Sequence, residues 1–208
     1  MPADTVHTTI SRLKWLRAAI GLLNETGVEG VKIMALAKRL GVARSGFYWH
    51  FHDREALLQA IISHWEATNT GNLEAQCEAF AESLNEAMFN LYDCWLDAAL
   101  FDGQLDLAMR AWGRRDADVQ ARLERADAAR ITAITAMFRR FGFSNGEAEI
   151  RAKTVVYTQI GYIFMHVNEP HGARIDRMPD FVGFFTGQAP SKAEIGRLRA
   201  RHGLPALD

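Results

Sequence analysis

The residues best suited to chemistry in this sequence lie within IMALAKRLGVARSGFYWHF, residues 33–51. Arg44 and Ser45 follow a Gly41-Val42 break, near the start of a short helical segment at about 43–50. An α-helix fits the major groove of B-DNA with its N-terminal residues facing base edges. A guanidinium placed there donates two hydrogen bonds to guanine O6 and N7, worth about 1–3 kcal/mol of discrimination against a wrong base. The surrounding residues are those that two tightly crossing helices need. Ala37 is small enough for close approach, Gly41 accepts positive φ at the corner, and Leu36, Leu40, Val42 and Phe47 fill a small core beneath. The same pattern also suits an ordinary helical hairpin inside a bundle.

Other chemistries fit less well. His50 and His52 flank Phe51 with no carboxylate or cysteine at ligand spacing, and HVNEPH, residues 166–171, is not the zinc-binding HExxH pattern, so no metal is expected. Cys77 and Cys94 sit in helical patterns without CxxC or Cys/His zinc spacing and read as reduced, packed residues. The sequence contains no glycine-rich phosphate loop, nucleophile elbow or recognisable catalytic array, so neither an enzyme nor a cofactor is expected.

These residues must be carried by a folded scaffold, and the composition supplies one. The 208 residues are 49% hydrophobic and 24% charged, the balance of a globular protein large enough to bury a core without disulfides or metals. The net charge of −1 is unevenly spread. Up to His52, seven Lys or Arg stand against three acids, leaving a basic head on an acidic body, as suits a first segment that meets phosphates. No stretch approaches the roughly 18 apolar residues of a membrane span, and MPADTVHTTISR lacks the basic-then-apolar pattern of a signal peptide, so a cytoplasmic location is expected.

The elements are helical throughout. Ile10, Leu13, Leu16, Ile20 and Leu23 predict a first helix closed by Gly27, with a second near 33–40 and a third near 43–50. Asp53 is placed to cap a fourth helix running through Leu57, Ile61 and Trp65. Further helices are predicted near 76–100, 103–113, 116–141, 146–168, 176–187 and 191–202, and Ser144/Glu147 and Ser191/Glu194 read as capping boxes. The expected fold is all-α: a three-helix head with a helix-turn-helix over residues 8–55 and a helical bundle over 56–208. The two modules share a helix near 53–75.

With these elements in place, GLLNETGVEGVKIMALAKRLGVARSGFYWHFHDREALLQAI closely resembles the N-terminal domain of the TetR (tetracycline-repressor-like) family of bacterial regulators. The likeness covers about residues 10–65 and is most specific in LGVARSGFYWHFHDREALL. It implies a sequence-specific transcriptional regulator, a repressor released from a palindromic operator by a largely apolar small-molecule effector. The alternatives are an activator and a DNA-bound, partner-binding protein on the same scaffold. It also implies that Tyr48 and His50 reach phosphates and that Trp49 lies against the sugar-phosphate edge or a thymine methyl. Phe47 and Phe51 are assigned to the core. Arg54, at the start of the fourth helix, is placed to meet a phosphate together with nearby backbone N–H groups. Lys32 stands where the family often has a capping Ser or Thr and offers a charge instead; Ala43 likewise replaces a capping Ser, and Gly46 is small for this helix.

One short reading helix contacts few bases, so two copies on a palindrome are expected. The resemblance implies a homodimer through about 146–188, a region whose Val155, Val156, Ile160, Ile163, Phe164, Val167, Phe181, Phe184 and Phe185 supply ample apolar surface. It also implies an effector held between the helices of the body. Phe80, Met88, Phe89, Tyr92, Trp95, Phe101, Met109, Trp112, Met137 and Phe141 form a stripe that by itself reads as core. The candidate ligand contacts are Trp65, Met88, Tyr92, Trp95, Met109 and Trp112. Polar Asn90, Arg110, Gln159 and His166 either orient a ligand or satisfy one another.

Overall fold

A computed structural model describes residues 11–205; Ile10, residues 8–9 of the expected head and residues 206–208 of the expected body lie outside the described residues. The fold is all-α, with no strand among the described residues. In chain order the helices are α1 (Arg12–Thr26), α2 (Ile33–Leu40), α3 (Arg54–Trp65), α4 (Asn72–Glu78), α5 (Leu84–Leu96), α6 (Gly103–Gly113), α7 (Ala117–Arg140), α8 (Asn145–Phe164), α9 (His171–Thr186) and α10 (Lys192–Arg201). Contacts divide the chain into two compact units, one comprising the segment up to Trp65 with 104–120, the other 66–103 with 121 onward. No described helix is long and apolar enough to cross a membrane.

In the first unit, Ser11 caps α1 by accepting the Lys14 N–H, and the helix buries Trp15, Leu16, Ala19, Ile20 and Leu23. Leu13, expected in that stripe, is 48% exposed because it falls at the edge of the face these five residues define. Gly27, at φ 72°, ends the helix, and its N–H reaches Leu23 O at 2.9 Å. The corner after α2 also calls for glycine: Gly41 is left-handed, at φ 67° and ψ 32°, and its N–H bonds Ala37 O and Lys38 O. Asp53 Oδ1 accepts the Ala56 N–H at 2.8 Å, as its expected capping role demands. From α6, the buried Asp106 accepts the indole N–H of Trp65 and Nε–H of Arg110, both at 2.9 Å.

The second unit is built on one core, to which Met88, Phe89, Leu91, Phe101, Ile134, Phe138, Val155, Val182 and Phe185 contribute. Its first segment, Glu66–Gly71, is wound as a π-helix. Buried side chains account for the wider turn: Asn69 exchanges hydrogen bonds with the Asp102 backbone (2.9 and 3.0 Å), and Thr70 Oγ1 accepts from Arg130 Nε at 3.1 Å. The helix expected over 76–100 is divided. α4 stops at Glu78, Phe80 lies 87% exposed in the connection, and Ser83 restarts the chain as α5 by accepting the Glu86 N–H. Both expected capping boxes form, at Ser144/Glu147 and Ser191/Glu194. α9 begins at His171, earlier than expected, directly after the extended Pro170.

Candidate nucleic-acid interface

The reading segment is held by its aromatic underside. Phe47 is fully buried, with edge contacts to Trp15 at 5.5 Å and Tyr48 at 5.4 Å and a stacked contact to Phe51 at 5.5 Å. Phe47 and Phe51 are thus core residues, as their assignment required. Anchoring Phe47 turns the opposite side of the segment outward: Arg44, Ser45, Tyr48 and Trp49 are exposed, and Trp49 shows 86% of its surface to solvent. His50 is half-buried. The segment is not an α-helix but a 3₁₀-helix over Arg44–Trp49. Ala43 provides no side-chain cap and Gly46 weakens the interior, which leaves six residues little reason to hold the wider winding.

Two further contacts fix the frame. Arg39 donates both arms of its guanidinium to Glu25, each at 2.8 Å, tying α2 to α1. It crosses Gly21 on the way, where an added Cβ would sit 3.0 Å from the guanidinium. Hydrogen bonding from Arg39 holds the Glu25 carboxyl below its ordinary range. Arg54 is part-buried and donates Nε–H to Val31 O and Nη2–H to Val28 O, both at 2.6 Å. Its guanidinium therefore satisfies the backbone connecting α1 to α2, a use that helix position alone did not reveal. Lys32, at the N-cap of α2, is exposed and makes no side-chain cap, as its type suggested. Beside it Met34 is exposed, a surface position the apolar pattern had concealed.

Arg44 lies along Tyr48, donating to its hydroxyl at 3.1 Å with its guanidinium carbon 5.6 Å from the ring centre. This gathers a cation, a phenol and an exposed indole on one edge of a basic unit. Such a set suits phosphate and base contact, cationic and hydrogen-bonding at one end and flat and apolar at the other.

The candidate ligand contacts are distributed over both units. Trp65, Met109, Arg110 and Trp112 belong to the first unit, where Asp106 engages Trp65 and Arg110, Met109 is core, and Trp112 donates to Asp116 at 3.2 Å. Met88, Tyr92, Trp95, Gln159 and His166 belong to the second. There Met88 is core and His166 is exposed in a left-handed turn (φ 52°) after α8. Asn90 is engaged with Phe80 O and Arg201. Tyr92 and Gln159 line a cavity of about 50 Å³ with Tyr162, Glu169, Arg174 and Met178, four residues that sequence periodicity had not singled out. Cys77 and Cys94 are buried and free, and burial pushes the Cys94 thiol up to about 12, which removes thiolate chemistry near neutral pH.

Comparison with known proteins converges on the head. Residues 16–61 match the family described as bacterial regulatory proteins, tetR family. Over 54 residues the chain is 48% identical to the tetracycline repressor protein class A from transposon 1721 of Escherichia coli, a match covering 26% of this chain and 25% of that protein. The chain thus matches about a quarter of the length of such curated relatives. Across the whole fold it is similar to the solved structure of Salmonella enterica GusR, with a TM-score of 0.61 at 18% identity over 94% of this chain and 98% of that one. Mycobacterium smegmatis AmtR is similar at 0.59 and 17%, over the full length of both. Over residues 16–61, the helix-turn-helix head of this chain is similar to that of the tetR family of bacterial regulatory proteins.

Proposed function

We propose that the protein is a transcriptional repressor that binds a palindromic operator as a homodimer and is released from it by a small-molecule effector. The observation that carries this reading is the reading segment itself, where Phe47 is locked in the core and Arg44, Ser45, Tyr48 and Trp49 are turned outward on a tetR-type head. In this reading Arg44 and Ser45 meet base edges, Tyr48, His50 and Lys32 meet phosphates, and Trp49 covers the sugar-phosphate edge. Arg54 supports the same surface from behind through Val28 and Val31.

Dimerisation is supported by the apolar residues that α8 and α9 leave uncovered. Ile150, Tyr157 and Phe164 recur every seven residues on α8, and Phe181 and Phe184 are exposed on α9. Large apolar side chains left exposed in this number favour an association through these helices. An effector acts by favouring a population of the dimer whose two heads no longer match the half-site spacing.

Selection of bound duplexes from a random pool, with wild type beside Arg44→Ala, tests the reading. Wild type is expected to recover a palindrome, and the variant to relax preference by about tenfold or more at two symmetry-related positions. Recovery of no sequence by the wild type would overturn the proposal.

A further inference from the structure

The cavity in the second unit has a polar lining that an apolar effector would leave unused. It lies among α5, α8 and α9, with Leu96, Met178 and Phe181 supplying apolar wall. Two guanidiniums, Arg174 and Arg177, face it with a single carboxylate, Glu169. Glu169 is already engaged: it accepts from the Tyr162 hydroxyl and pairs with Arg177, and both hold its carboxyl below its usual range. Arg174 forms no ion pair among the described residues, and although its charge also acts on Glu169, two guanidiniums against one carboxylate leave a net positive charge here. The Arg174 guanidinium lies 5.0 Å from the Tyr162 ring centre, a stacking that leaves the N–H edges open, and no hydrogen bond from it to the described residues is formed.

A second group points to a missing partner. The Tyr92 hydroxyl is buried without a partner at hydrogen-bonding geometry, on a residue only 6% exposed. Gln159 and the Arg174 charge both act on it, against the burial that pushes the phenol up. A buried hydroxyl left unpaired costs stability unless a guest or water satisfies it. The space, partly open to solvent, corresponds to a few water-sized volumes, enough for a compact polar head with the remainder of the guest against the apolar wall.

We propose that this cavity binds a small organic carboxylate carrying an apolar ring or short chain, its carboxylate on Arg174 and the Tyr92 hydroxyl. The proposal rests on the reading of the protein as an effector-controlled regulator. It narrows the effector from largely apolar to amphipathic and anionic, since a carboxylate gives the open guanidinium edge a charge-assisted partner that an uncharged head does not.

Calorimetric titration of the full chain with benzoate and hexanoate, beside the uncharged benzamide and hexanamide, tests it. At least one acid is expected to bind once per chain, its amide at least about tenfold more weakly. R174Q is expected to lose at least about tenfold in affinity for the acid and Y92F severalfold, while R174K retains an intermediate affinity. Failure of both acids to bind, equal binding of acid and amide, or undiminished binding by R174Q would overturn the site. The acid-to-amide comparison decides the matter in wild type should R174Q fail to fold. Operator binding measured in the same samples separates the two proposals. An acid that binds through Arg174 without changing operator affinity overturns the effector reading and leaves the site, whereas operator release by another compound, undiminished in R174Q, overturns the site and leaves the effector reading.

Discussion

Arg54 and Trp49 lie a few positions apart, and on the proposed reading the first supports the surface that the second presents to DNA. Trp49 is 86% exposed and holds nothing in place within the free head, so its truncation removes contact area with little cost to folding. Arg54 donates to two carbonyls at 2.6 Å in a part-buried position, and its loss strands both. We therefore expect Arg54→Met to lower the unfolding free energy by about 2–3 kcal/mol, the scale of hydrogen bonds from a charged donor. Trp49→Ala is expected to leave it within about 0.5 kcal/mol while weakening operator binding. Urea unfolding and operator titration on both variants check this, and a destabilised Trp49→Ala beside a stable Arg54→Met would reverse the assignment. The outward placement of Arg44 and Trp49 follows from the sequence because the Gly41 corner and the buried phase of Phe47 decide which side of the next turn faces out. The carbonyl partners of Arg54 were not, since Val28 and Val31 lie 26 and 23 residues away and only the packed connection brings them near.

At the level of elements, legibility followed local hydrogen bonding. Ser144/Glu147 and Ser191/Glu194 were readable because both partners of a capping box lie within one turn. Ser83 carries the same signal toward Glu86, yet an apolar pattern continuing on both sides masked the break that it makes at 79–83. The π-turn over Glu66–Gly71 has no local signature, because Asp102 and Arg130, which bond Asn69 and Thr70, are remote in sequence. Tyr92, Gln159 and Arg174 likewise share a cavity across three helices, so no periodicity could collect them. Ser191→Ala is expected to cost about 1 kcal/mol at neutral pH. Burial raises the Glu194 pKa, but hydrogen bonds from Ser83 and Ser191 outweigh it and the net shift is downward. The stability from this ionised carboxylate is therefore present above its ordinary value of 4.5 and lost as pH falls through the depressed folded value. The gap between wild type and Ser191→Ala should narrow in urea unfolding carried out at about pH 3 relative to about pH 7. A gap that stays constant would show that the cap works without the carboxylate.

For the whole molecule, the decisive surface is the one the chain leaves bare. α8 turns Val155 and Val156 into the core of the second unit and Ile150, Tyr157 and Phe164 away from it, while α9 buries Val182 and Phe185 but exposes Phe181 and Phe184. The sequence showed the excess of apolar residues here but not their division, which depends on the rotational phase each helix takes in the packed unit. Phe184 is 76% exposed, so a charge in its place should disturb the folded chain little and an association through this face severely. Phe184→Glu is accordingly expected to unfold as wild type does but to sediment as a monomer at concentrations where wild type is a dimer, a loss of about 2 kcal/mol or more if Phe184 is an anchor of the interface. Because two heads on one palindrome multiply their affinities through the link between them, the monomer should bind a full operator no better than a half-site. Sedimentation velocity and operator titration of the same preparation read both effects. A Phe184→Glu chain that remains dimeric and keeps full operator affinity would move the dimer contact off this face, whereas a dimeric wild type that binds half-sites and full operators equally would remove the reason for pairing at all.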